Sequence, residues 1–96
     1  MLVWFIYDIT NDRTRRKIIK LAENSGLYRV QKSVFLGTIE QNILDQIVLE
    51  SEELLDLEND SLYVFPLCEK DFKTVKLLGQ AFDKKLVTDE IEAFFV

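Results

Sequence analysis

Residues 2–7, LVWFIY, restrict the fold of this 96-residue chain more than any other stretch. Six consecutive apolar residues, mostly β-branched or aromatic, suit a strand covered on both faces. The run is far too short to span a membrane, and no stretch approaches the roughly 18 apolar residues a span needs. A strand of this kind belongs in the middle of a sheet. It ends on one carboxylate, Asp8, and a short polar turn then leads to Arg13, Arg15, Arg16 and Lys17. Those cations crowd the start of an expected helix, where the backbone dipole disfavours positive charge by about 0.3–1 kcal/mol each.

The helix is expected over roughly 12–25, with Asn11 or Asp12 as its cap and Gly26 as its stop. Ile18, Ile19 and Ala22, with Leu21 beside them, form its core face. Arg13, Arg16, Lys17 and Lys20 recur at i, i+3, i+4 and i+7, a continuous basic stripe on another face. Arg15 lies one turn before Ile18 and leans back toward the end of the first strand. Residues 27–39, LYRVQKSVFLGTI, read as two short strands with a break near Gln31–Lys32. A second helix follows over about 41–57, with Ile43, Leu44, Ile47, Val48, Leu54 and Leu55 on one face and acids elsewhere. Ser61–Leu67, SLYVFPL, is a further strand, KTVKLLG a linking segment, and EIEAFFV, within about 86–96, a closing strand.

The order βαββαβ plus one strand gives an α+β, ferredoxin-like sandwich as a single domain over 1–96, with both helices on one face of an antiparallel sheet. The first and third strands are central in that topology and the fourth is an edge. SLYVFPL is too apolar for a bare edge, so the C-terminal strand is expected to cover it, from the same chain or from a second copy. A two-fold homodimer follows naturally.

Composition narrows the chemistry. The chain has no histidine and one cysteine, Cys68, which excludes Ser-His-Asp triads, histidine-ligated metals, thiolate zinc sites and intrachain disulfides. Cys68 is expected to be a small buried residue. Hydrolysis here would need carboxylates, Lys, Tyr or a hard cation such as Mg²⁺. Residues 1–37 carry seven Lys or Arg against three acids, whereas 38–96 carry five against fourteen. That split suggests a polyanion-binding face backed by a solubilising one. The initial apolar run has no basic flank and is too short for a signal peptide, so a cytoplasmic setting is expected.

Asp8 can be read in two ways. It can bond backbone amides in the ITND turn, or it can face its own copy across a dimer axis, where two carboxylates would hold a divalent cation. Tyr7, Tyr28 and Phe35 suit core or dimer packing.

In combination, VWFIYDITNDRTRRKI, YRVQKSVFLG and DSLYVFPL, spread over residues 2–67, closely resemble the CRISPR-associated protein two family. The resemblance implies a ferredoxin-like homodimer whose C-terminal strand, about 86–96, packs on the partner's sheet. It implies Asp8 as a metal-linked residue shared across the dimer, with Mg²⁺ as cofactor. Tyr7, Arg15, Arg29, Ser33 and Phe35 match residues implicated around the family's nuclease site, and Lys17 stands where some members have Arg. The implied activity is metal-dependent endonuclease cleavage of single-stranded RNA or double-stranded DNA. The implied partners are nucleic acid and the CRISPR integrase, for insertion of new spacers. Two alternatives remain open at this stage: a non-catalytic DNA-binding adaptor of the integrase, and a toxin-type ribonuclease of the virulence-associated kind.

Overall fold

The computed structural model describes residues 1–76 and Leu78. The expected C-terminal strand and its packing on a partner lie outside the described residues. Four strands form one antiparallel sheet: β1 (Leu2–Asp8), β2 (Tyr28–Gln31), β3 (Val34–Thr38) and β4 (Ser61–Leu67), in the order β2-β3-β1-β4. β1 and β3 are therefore central and β4 is an edge, as the element order requires. Helices α1 (Asp12–Asn24) and α2 (Gln41–Leu54) connect the strands, and a short α3 (Glu69–Lys73) follows β4.

The period of two in β1 sorts its side chains. Val3, Phe5 and Tyr7 turn to one face and join Ile18 and Ala22 of α1, Leu44 and Ile47 of α2, and Phe35 of β3 in the main core. Phe5 and Phe35 are register partners and meet edge to face, with centroids 6.2 Å apart at 88°. Leu2, Trp4, Ile6 and Asp8 turn to the other face, opposite Leu67, Phe65, Tyr63 and Ser61 of β4. That face is only partly covered: Tyr63 and Phe65 are about half exposed and lie stacked, with centroids 6.3 Å apart.

Local chemistry explains the helix limits. The Asn11 side chain accepts from the Thr14 amide, capping α1. Gly26, at φ +95°, donates to the Glu23 carbonyl and closes its C-terminal end. Gly37 on β3 is needed for close approach, since a Cβ there would lie 3.1 Å from the Gly26 carbonyl oxygen. α2 begins at Glu40 without a side-chain cap, and i,i+4 hydrogen bonds from Gln41 to Asp45 and Gln46 to Glu50 support it. Past α2, Asp56 organises residues 56–60. The Asn59 side chain and then the Glu58 amide donate to its carboxylate and hold its pKa below the ordinary value.

Three expectations are corrected. The buried face of α2 is narrower than its apolar sequence suggests: Leu44 and Ile47 are buried, while Ile43 and Val48 are exposed along with Leu49. Both lie at the margins of the stripe, and Val48 lines an open groove between α2 and β4 with Tyr63 and Val64. Cys68 is exposed, because it stands where β4 has ended, and its sulfur accepts from the Asp71 amide as the cap of α3. A short helix not expected from the sequence, α3, stands just before the linking segment KTVKLLG and shares only Lys73 with it; it folds Phe72 onto Leu2 and Leu36 and against Trp4. The second helix-bearing side of the sheet was thus not foreseen.

Candidate nucleic-acid and metal site

The C-terminal end of β1, the start of α1 and the β2–β3 turn converge on a depression of about 210 Å³ lined by Asp8, Ile9, Arg15, Arg29, Lys32 and Ser33. Of the expected site residues, four (Asp8, Arg15, Arg29 and Ser33) meet there. Asp8 is exposed. Among the described residues no hydrogen bond falls on its carboxylate, from the amides of the ITND turn or from elsewhere. The reading of Asp8 as a turn-bonding residue therefore has no support, and its lone pairs are available.

Arg15 leans back as expected. It donates to the Ile9 carbonyl at 3.1 Å and pairs with Asp12. Asp12, in the first turn, also offsets part of the unfavourable field that the N-terminal cations feel. Arg29 reaches across its own turn and donates to the Lys32 carbonyl at 2.7 Å. β2 is irregular there, with a register shift between Arg29 and Gln31, and such a bulge re-aims side chains beside a site.

Tyr7 and Phe35 occupy a different layer. Both are buried, at 3% and 0% exposure, and their rings lie 6.3 Å apart. Phe35 is not among the residues lining the depression; as the packing reading expected, it sits in the core and buttresses Tyr7 and Phe5. Tyr7 keeps one polar link, its hydroxyl donating to the Lys32 carbonyl at 3.1 Å, while its amide donates to the Ser33 carbonyl at 3.1 Å. Tyr7 thereby locks the turn that borders Asp8.

Arg13, Arg16, Lys17 and Lys20 do not enter the depression. All four are exposed on α1, a separate basic surface. Lys32 is the site residue that sequence reasoning missed. The only available signal was a cation at a break between two strands, which carries no weight until the fold brings that break against Asp8.

The first 75 residues match the family model described as CRISPR associated protein Cas2. The chain belongs to the Cas2 family. A Korarchaeum cryptofilum relative named CRISPR-associated endoribonuclease Cas2 is 34% identical over 82 residues, covering 81% of this chain and 84% of that protein. A Thermus thermophilus relative named CRISPR-associated endonuclease is 36% identical over 73 residues, covering 76% of each. Among solved structures, Streptococcus pyogenes Cas2 superposes with a TM-score of 0.70 at 26% identity, covering 82% of this chain and all of that one. A hypothetical protein from Thermus thermophilus gives the same TM-score at 32% identity, covering 83% and 92%. Cas2 membership accounts for the ferredoxin-like order of elements and leaves the toxin-type alternative without support.

Proposed function

We propose that this Cas2 protein is a CRISPR-associated nuclease whose phosphodiester-cleaving centre is built on Asp8 and completed by a second copy of the chain. The observation that carries this is the unengaged Asp8 carboxylate at the end of a central strand, flanked by Arg15, Arg29 and Ser33 in one depression. The names of its relatives point the same way.

The donor set fits a hard divalent cation only as a shared one. Among the described residues no three metal-ligating side chains cluster, and Mg²⁺ takes one or two carboxylates, completing its shell with water and phosphate oxygens. Asp8 lies on the face of β1 that carries Trp4 and Ile6, beside the half-exposed Tyr63 and Phe65. A second copy covering that apolar face would bring its own Asp8 to the two-fold axis, and the two carboxylates would hold Mg²⁺ between them. When bound there, the cation supplies charge neutralisation at the phosphodiester and an acidified water. Within the chain, Arg15 and Arg29 provide guanidinium charge for the phosphate, and Tyr7 holds the β2–β3 turn in place. Single-stranded RNA and double-stranded DNA are the substrate classes.

The exposed stripe of Arg13, Arg16, Lys17 and Lys20 favours a second role beside the first: holding duplex DNA as an adaptor of the CRISPR integrase during spacer insertion. The two roles separate in Asp8→Asn. Purified Asp8→Asn is expected to lose cleavage of both substrate classes by on the order of 100-fold or more, the scale at which loss of metal support is felt. Spacer acquisition should persist. Wild-type protein that cleaves neither substrate under any divalent cation would remove the nuclease role and leave the adaptor alone.

A further inference from the structure

We propose that Lys32 is the cation that grips the nucleic-acid backbone beside Asp8, a role resting on the reading above only in taking nucleic acid as the ligand. Three positively charged residues line the depression, and they are not equivalent. Arg15 is engaged by the Ile9 carbonyl and by Asp12, and Arg29 by the Lys32 carbonyl. Each guanidinium therefore has part of its donor fork committed to the protein. The Lys32 ammonium, among the described residues, carries no hydrogen bond or ion pair. It is exposed, and it stands at the mouth of a site whose other free charge is the Asp8 carboxylate.

The backbone under Lys32 is unusually well held for a two-residue turn. Its carbonyl accepts from the Tyr7 hydroxyl and from Arg29, and the next carbonyl, of Ser33, accepts from the Tyr7 amide. Two of these three bonds come from Tyr7, a residue 3% exposed and packed against Phe35 and Phe5. The core thus fixes the root of the Lys32 side chain, while the side chain keeps a freely rotating, strongly hydrated ammonium. That combination suits a point-charge contact to phosphate, and a clamped turn lowers the ordering cost of binding. It also explains why a buried tyrosine at this register keeps a hydroxyl that Phe would lack.

The test compares full-length wild type, Lys32→Ala and Lys32→Arg. A single-stranded RNA oligonucleotide is titrated over a range of salt in chelator, and its cleavage is then followed in Mg²⁺. Lys32→Ala should bind roughly five- to tenfold more weakly at low salt, with the log–log salt slope reduced by about 0.7, one phosphate contact on a single strand. Lys32→Arg should restore both, and the melting temperatures of all three should agree. Equal affinity and slope in wild type and Lys32→Ala overturns the proposal, whether or not the wild type cleaves. A reduced slope in Lys32→Ala alongside a wild type that leaves the RNA uncut upholds Lys32 and removes Mg²⁺-dependent RNA cleavage from the proposed activity. Wild type that fails to bind the RNA at all overturns the proposal and removes single-stranded RNA from the substrate classes.

Discussion

The two faces of β1 carry alternate residues of one seven-residue strand and have opposite fates. Val3, Phe5 and Tyr7 are sealed beneath α1 and α2, with exposures of 0%, 0% and 3%. Leu2, Trp4, Ile6 and Asp8 occupy the other side, where, among the described residues, α3 covers one end through Phe72 and Tyr63 and Phe65 alongside are about half exposed. The sealed face is about stability. The open face carries the Asp8 carboxylate, on which no hydrogen bond falls among the described residues, and apolar area that a partner can cover. Tyr7 and Asp8 are neighbours in sequence, yet one supports a turn from inside and the other faces outward, because a strand reverses direction at every residue.

Substitutions on either side should sharpen that contrast. The largest effect is expected from Phe5→Ala on the sealed face. It removes a ring in contact with Tyr7 and Phe35 and should destabilise the fold by about 3–5 kcal/mol. Chemical denaturation would measure this, and a loss under 1 kcal/mol would mean the two helices are not what seals the face. The next effect lies away from both faces. Reversing Arg13, Arg16 and Lys20 to Glu should weaken duplex binding by about 100-fold at moderate salt and lower the log–log salt slope by about 2.7, three phosphate contacts. An unchanged slope would return the stripe to an ordinary solvated helix surface, and cleavage at the Asp8 depression should then be untouched as well. The smallest effect is expected from Phe65→Glu on the open face. Phe65 is already 48% exposed, so the folded monomer should tolerate the charge. The dimer should weaken by about tenfold, or 1.4 kcal/mol, in sedimentation or light scattering. Unaltered self-association would place the dimer contact elsewhere and remove the shared Asp8 pair with it.

Much of this architecture was legible without coordinates because it rests on local periodicity. The unbroken apolar run of LVWFIY marks a central strand, and Asn11 and Gly26 bracket α1. The pairing of α1 and α2 on one face follows from the order of elements. Where the reading slipped, a tertiary neighbour had the final say. Val48 and Ile43 look like core on a helical wheel, but both stay exposed, Val48 on an open groove between α2 and β4. α3 is five residues long and gives no periodic signal; it forms because Cys68 caps it, Glu69 pairs with Lys73, and Phe72 finds Leu2 and Leu36. Phe35 matches a site motif by position, although its place in the strand turns it into the core.

By itself the sequence determined the α+β order, the absence of histidine chemistry, the division into a basic first part and an acidic remainder, and Asp8 at a strand end. These follow from residue type and spacing, which act within one or two turns of chain. The tertiary structure decided which cations stand with that carboxylate. Arg15, Arg29 and Lys32 come from a helix, a strand and a turn that are adjacent only because β3 pairs with β1, bringing the β2–β3 turn against the end of β1. The Tyr7 hydroxyl then pins the turn from below. No spacing along the chain encodes that meeting, since it exists only once the strands have paired and the core has closed.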